Sequence, residues 1–453
     1  MRPAILNRMK LWKIFFAAVA IRWGYALLLF LTLGDAGLQG PDSIGYLATA
    51  HDFARAIADG SLQGTQWLGK NTFVMPLFQW LVGLNALLFG NLAPLTYVLM
   101  QGLIDAGTCL LVYGLAAALG PRFASPAAWV AVVNPTQIVL SGLVYTDTPF
   151  VFFVALFLFA SVRWLRTPSW RWALLIGLDL GAASLIRALA APWAPILVIF
   201  LLTAALVAKM PPRRIVLQLS AAVTIFALCI APVLWRNVSE YGAWSLTPQG
   251  GMHLALWVVP LVKEARDGTP WQQSFDQMLQ RTHERFPTPA ANPFEDSRRF
   301  TEIARETLPG LGIAAMAKAW LTGAAINLAS PAVIISPLVS RLPRTGFYAT
   351  PGASPIEKIG NFLFHSNNVV YGWILLIGVA GVVAIRLIQT AGLIAVLRAG
   401  GQTSALLLFA LWFFYILAIN GPIASPKYRL PIEPPLNVLT GAGIALLRRH
   451  QAP

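Results

Sequence analysis

Apolar residues along this chain gather in long runs rather than in the alternating or one-sided patterns of a soluble domain. The runs fall at residues 14–34, 72–90, 93–119, 125–142, 149–165, 172–207, 215–234, 311–340, 368–388, 403–420 and 431–447. Most reach or approach the roughly 18 residues that mark a membrane-crossing helix. Short loops separate them, apart from polar segments at 35–71 and 235–310. The pattern predicts an all-α polytopic membrane protein with about 10–13 transmembrane helices and interfacial helices in its outer loops. It excludes a soluble enzyme and a single-span receptor.

Composition agrees with this. Of 453 residues, 57% are apolar and only 11% are charged, against about 25% charged in soluble domains. The 33 Lys and Arg outnumber the 18 Asp and Glu, for a net charge of +15. In a soluble chain that excess would point to nucleic acid. Here the basic residues cluster in short loops beside apolar runs, as the positive-inside tendency describes, so no nucleic-acid partner is expected. Cys109 and Cys229 both lie inside apolar runs, which argues against a structural disulfide and excludes a four-cysteine metal site.

Charge also orients the chain. Arg2, Arg8, Lys10 and Lys13 precede a first run longer than a signal-peptide core, expected to remain as an uncleaved span with a cytoplasmic start. Arg163, Arg166 and Arg171 form one cytoplasmic cluster, and Lys209, Arg213 and Arg214 the next. The stretch 172–207 between them must then leave and return as a hairpin, turning near Ala191-Pro192. Segment 235–310 falls outside, and its eight Lys or Arg against nine Asp or Glu leave it nearly neutral. Arg448 and Arg449 keep the carboxy terminus inside, which sets Lys427, Tyr428 and Arg429 at the outer mouth of the last span.

Three regions result: 1–234 with the first outer loop 35–71, an outer loop at 235–310, and a second transmembrane region at 311–453. One inconsistency stands. If every run between 35 and 147 crosses fully, Asp42 and Asp147 fall on opposite faces, so one run between 72 and 142 must be partial, doubled or re-entrant. Region 311–340 poses the same question.

A few polar residues sit where apolar surroundings make them costly. Asp42, in Pro41-Asp42-Ser43, is either the cap of a following interfacial helix or a carboxylate at the mouth of a polar cavity, with Tyr46 on the same helix face. Asp147 follows Asn134-Pro135 and Tyr145-Thr146 and precedes Pro149; it too reads as a cap or as a ligand for a cation or a hydroxyl. Arg187 lies deep in the stretch 172–207 and needs a carboxylate or phosphate partner, for which Asp105 is the evident mid-span acid. Lys427 and Arg429 stand outside against the inside-positive tendency, as suits a phosphate held at the membrane surface, and Lys70 is a weaker candidate of the same sort. The histidines His51, His253, His283 and His365 show no metal-ligand spacing. A divalent metal is compatible with a folded cluster of Asp42, Asp147 and His51 but is not demanded.

In order and spacing, Asp42-Ser43-Ile44-Gly45-Tyr46, Tyr145-Thr146-Asp147 after Asn134-Pro135, Gly181 to Arg187, and Lys427-Tyr428-Arg429-Leu430-Pro431 make a pattern. It resembles the integral-membrane glycosyltransferases of C-type fold, in the bacterial branch with the lipid A aminoarabinose transferases and protein O-mannosyltransferases. The resemblance covers most of residues 12–447. It implies that region 1–234 is the catalytic module, that Asp42 is the catalytic acid-base residue, and that Asp147 organises the active site. It further implies that Lys427 and Arg429, with Arg187, hold the phosphate of a polyprenyl carrier, supported by Tyr46, Tyr145 and Lys70. The family often has Asp-Glu where this chain has Asp42-Ser43, so a second carboxylate role has no residue here.

The implied activity is an inverting transfer of a sugar from a polyprenyl phosphate to a hydroxyl of a lipid, glycan or protein acceptor. It would occur at the periplasmic face of a bacterial inner membrane, with loop 235–310 covering the acceptor side and membrane lipids as the surroundings. The competing reading is a transporter or flippase, which requires polar residues along a path through several spans.

Overall fold

The computed structural model describes residues 2–69, 71–343, 355–365, 367, 369–400 and 403–449. The apolar runs fold as helices, the arrangement that satisfies every backbone polar group within one segment where no water is available. The first half contains α1 (Arg2–Leu33), α2 (Ser43–Ala58), α3 (Pro76–Phe89), α4 (Ala93–Leu119), α5 (Pro121–Val133), α6 (Pro135–Ser141), α7 (Asp147–Arg166), α8 (Trp170–Ile186), α9 (Trp193–Val207) and α10 (Pro212–Tyr241). A cap of four helices follows: α11 (Gln249–His253), α12 (Val259–Asp267), α13 (Trp271–Arg285) and α14 (Pro293–Leu311). Then come α15 (Ile313–Ala329), α16 (Pro337–Ser340), α17 (Pro355–Phe364), α18 (Val369–Ala399), α19 (Thr403–Asn420) and α20 (Glu433–Arg449).

Among the described residues, eight helices are long and apolar enough to cross a membrane, or ten if two bent helix pairs each count as one span. The expected range of 10–13 therefore exceeds the eight, and ten is reached only if both bent pairs cross. The reason lies in the runs that do not cross. Helix α3 has 14 residues, about 21 Å of rise, short of the roughly 30 Å hydrocarbon core. It is the partial run that the Asp42–Asp147 inconsistency required. Helices α5 and α6 form one bent element, breaking by 46° at Asn134-Pro135, where the proline removes a helical donor and the Asn134 side chain accepts from the amides of Thr136 and Gln137.

Region 311–340 stays near the capped face. Helix α15 leaves α14 at 106°, Trp320 Nε1 donates to the Ala418 carbonyl at the end of α19, and Asn327 Nδ2 donates to the Ile423 carbonyl. The stretch 172–207 breaks as expected, with α8 and α9 separated at Arg187–Pro192 by a short 3-10 turn, Ala188–Ala190.

The bundle is tied together by small residues where backbones touch, as membrane helices without a hydrophobic driving force between them require. A Cβ on Gly392 of α18 would lie 1.8 Å from the Leu439 carbonyl oxygen of α20, and one on Gly177 of α8 would lie 2.2 Å from the Ala222 carbonyl oxygen of α10. The cap has its own small core of Ala255, Leu256, Val259, Met278, Phe300, Ile303 and Ala304. That gives segment 235–310 a folded structure rather than a loose loop.

Candidate active site

Asp42 stands where a helix cap would stand, yet it does not cap α2. Its backbone is already helical (φ −78°, ψ −20°) and its side chain makes no capping bond, whereas a capping residue takes an extended conformation. The carboxylate instead accepts a hydrogen bond from Lys427 Nζ at 2.6 Å, across 385 residues of sequence. Ser43, in the place of the second acid, stitches the first loop to the next one: its Oγ donates to the Val144 carbonyl and accepts from the Gly40 amide, both at 2.9 Å. The Val144 amide in turn donates to the Leu38 carbonyl at 2.9 Å. These bonds hold the loops before α2 and α7 together, and with them both aspartates at one face.

Asp147 opens α7 and pairs with Arg187, Nη1 to Oδ1 at 2.5 Å. Arg187 sits at the break between α8 and the following 3-10 turn, in extended backbone (φ −141°, ψ 115°), so its side chain leaves the apolar helix for the capped face. Its guanidinium carbon lies 5.7 Å from the centroid of the Phe150 ring. The expected partner, Asp105, is taken elsewhere: Arg22 Nε donates to it at 2.8 Å, and both residues are about 1% exposed. Arg22 lies in the first apolar run, and sequence reasoning overlooked it. Buried Asp179 in α8 was overlooked as well.

Lys427 belongs to the 3-10 segment Pro426–Ile432. Besides Asp42, its ammonium faces the rings of Tyr145 and Tyr428, at 5.4 and 5.3 Å from their centroids. Arg429, expected beside it on the phosphate, is turned away and 3% exposed. Its Nε donates to Glu433 at 2.7 Å and its Nη2 to Thr136 Oγ1 at 2.9 Å. Its Nη1 serves the carbonyls of Asn327, Leu328 and Ser330 at 3.1, 3.3 and 2.8 Å. Tied to five protein acceptors, Arg429 anchors the segment. Lys70 lies outside the described residues.

A cavity of about 420 Å³ opens beside the two ion pairs, lined by Tyr46, Thr146, Arg187, His253, Tyr428 and Trp320 among others. Its walls are largely apolar, from Met75, Ile186, Leu189, Leu254, Ile419 and Ile423. Burial pushes the phenols of Tyr46 and Tyr145 above their ordinary pKa, so both remain protonated hydrogen-bond donors. His253, from the cap, is held below the ordinary histidine value by burial and then by the nearby cations Arg187 and Lys427, with Asp42 acting in the opposite sense. It was not among the expected site residues; only the fold of the cap brings it here, just before a π-helical turn at Leu254–Val258.

The residues do not form a metal cradle. Asp42 and Asp147 are each occupied by a cation, His51 is exposed further along α2, and no group of three or more metal-ligating side chains converges among the described residues.

The family of dolichyl-phosphate-mannose-protein mannosyltransferases matches over residues 74–235, about a third of the chain. No curated protein sequence matches. The oligosaccharyltransferase of Archaeoglobus fulgidus in its apo form is similar, with 14% identity, a TM-score of 0.52, and coverage of 96% of this chain and 51% of that one. The same enzyme tethered to an acceptor peptide gives 14% identity, a TM-score of 0.54, and coverage of 97% and 50%. ArnT of Cupriavidus metallidurans bound to undecaprenyl phosphate aligns over 96% of this chain and 77% of that one at 16% identity, with a TM-score of 0.38. The chain spans about half the length of the oligosaccharyltransferase it matches. At these identities the likeness is one of architecture: the protein has the all-α polytopic fold of the C-type membrane glycosyltransferases.

Proposed function

We propose that this protein is an inverting glycosyltransferase that moves a sugar from a polyprenyl phosphate to an acceptor hydroxyl at the outward, capped face of the membrane. The observation that carries this reading is the Asp42–Lys427 pair beside the Arg187–Asp147 pair, at the rim of one partly apolar cavity. The chemistry needs both kinds of group. When the acceptor hydroxyl attacks the anomeric carbon, it gives up a proton and needs a carboxylate within about 3 Å. The polyprenyl phosphate leaves carrying negative charge and needs cations more than a proton.

In the resting arrangement the base and the cation neutralise each other. A donor phosphate drawn to Lys427 and Arg187 competes for the Lys427 ammonium and frees the Asp42 carboxylate to accept the hydroxyl proton. Asp147 keeps Arg187 aimed at the cavity and is a positioning residue. A single base on the attacking side gives inversion. The donor set described above does not fit a metal, and no step is assigned to one. The apolar walls suit the first prenyl units of a carrier, and the cap, with His253, faces the acceptor side. The acceptor class, whether lipid, glycan or protein, is set by what the cap admits.

The test is turnover by the purified protein in nanodiscs, given a panel of radiolabelled polyprenyl-phosphate sugars. Release or transfer of one sugar by the wild type, lost in D42N while donor binding is retained, supports the assignment. Equal turnover in D42N removes Asp42 as the base. Donor movement across the bilayer without cleavage would replace the enzyme by a lipid transporter.

A further inference from the structure

Most cations inside the bundle are matched by acids. Arg22 has Asp105, Arg187 has Asp147 and Arg429 has Glu433. Arg386 of α18 makes no ion pair among the described residues. Its Nε and Nη2 donate to the single carbonyl of Leu328 at 3.3 and 3.1 Å, and its Nη1 to Gln389 Oε1 at 2.5 Å. A guanidinium carries five N–H donors, so two remain. Leu328 lies at the carboxy-terminal end of α15, and its carbonyl also receives Arg429. That helix end supplies about half a negative charge, not a whole one. Arg386 and Arg429 thus share a single carboxylate, Glu433, which Arg429 already holds at 2.7 Å. One positive charge is left over inside the membrane.

Arg386 also faces a second cavity of about 410 Å³, which shares no lining residue with the one beside Asp42 and Lys427. Val133 of α5 and Ile385 of α18 line it and are 58% and 37% exposed, so it opens sideways towards lipid. Gly381 widens it: a Cβ there would meet nothing within 4 Å. Arg386 lies near the middle of α18, 17 residues (386 − 369) from Val369 and 13 (399 − 386) from Ala399. It meets α15 at the Leu328 carbonyl, which it shares with Arg429 of the segment that leads into α20, and a guanidinium on a long stem can snorkel from there to a headgroup.

We propose that this cavity is a binding site for an anionic phospholipid, with the lipid phosphate on Arg386 and one hydrocarbon chain between α5 and α18. The unmatched charge selects the headgroup, and the apolar lateral opening admits a chain from the bilayer. A soluble anion has no such route. The site is separate from the proposed sugar-transfer cavity and stands whether or not that reading holds.

Thermal unfolding in a neutral detergent tests it, with titrations of phosphatidylglycerol, phosphatidylcholine of the same chains, and inorganic phosphate. The expected result for the wild type is a saturable rise in Tm with phosphatidylglycerol, at about tenfold lower concentration than with phosphatidylcholine, and no rise with phosphate. The preference should vanish in R386Q, which removes the headgroup contact. It should vanish equally in G381F, which keeps Arg386 and fills the chain's space, so that the question is decided even if R386Q folds poorly. Equal response to both lipids in the wild type, survival of the preference in either variant, or a shift produced by inorganic phosphate alone would each overturn the proposal.

Discussion

Lys427 Nζ lies 2.6 Å from Asp42 Oδ2, joining the start of the first loop helix to the segment that leads into the last span. Asp42 is 44% exposed and Lys427 19%, so the pair sits at the cavity rim and contributes only about 0–1 kcal/mol to stability. Its value is electrostatic and positional. K427Q should therefore leave Tm nearly unchanged and lower kcat by about 10²–10³, the usual cost of losing one group that stabilises developing charge. Calorimetry and single-turnover sugar release on the same preparation check this. A large fall in Tm with unchanged kcat would make the pair structural.

The Asp147–Arg187 pair behaves differently because Asp147 is 4% exposed. Removing one partner of a buried pair costs about 3–5 kcal/mol, since the other charge is left uncompensated. D147N is expected to lower Tm clearly and to weaken donor binding through a displaced Arg187. R187Q should lower Tm less, because an aspartate at a helix start can accept from nearby amides. Equal Tm losses in the two variants would contradict this asymmetry.

Arg429 gives a sharper contrast with its neighbour two residues away. R429Q strands Glu433, which is 5% exposed, and should destabilise by about 3–5 kcal/mol. R429K should also lose stability, because one ammonium cannot reproduce contacts to Glu433, Thr136 and three carbonyls. If Arg429 held the donor phosphate instead, R429Q would raise KM or lower kcat at unchanged Tm.

His253 sets a pH expectation. Its folded pKa lies below the ordinary 6.5, so the unfolded chain takes up its proton first. The contribution to stability is fully present above pH 6.5 and is lost as pH falls through the lowered folded value. In the cavity, protonation would add a third cation beside Arg187 and Lys427, against Asp42 as the facing acid. The acid limb of kcat/KM should therefore lie below pH 6.5 in the wild type and flatten in H253Q. Identical limbs in both proteins would place His253 outside the reaction.

Much of this protein was determined by sequence alone. Long apolar runs admit only helices in lipid, so the all-α polytopic class, a turn near Ala191-Pro192 and the need for a partial, doubled or re-entrant run between 72 and 142 could be derived from composition, length and charge. Arg187 was legible for the same reason, since an ion in an apolar run is costly wherever it points, whereas Asp42, Asp147 and Lys427 stood out at the boundaries of runs, Lys427 against the inside-positive tendency.

Which ion meets which was decided by the tertiary structure. Charge pairs form between residues that stand 40, 83 and 385 positions apart, and their geometry depends on helix rotation and loop stitching that a linear pattern does not encode. Asp105 went to Arg22 and left Asp147 for Arg187. Lys427 and Arg429, two residues apart in a 3-10 segment, turn to different partners, Asp42 and Glu433. His253 and Arg386 gained their surroundings only when the cap and α18 were packed in place. Hydropathy is additive along the chain and can be read there, whereas pairing is a property of contacts and exists only in the fold.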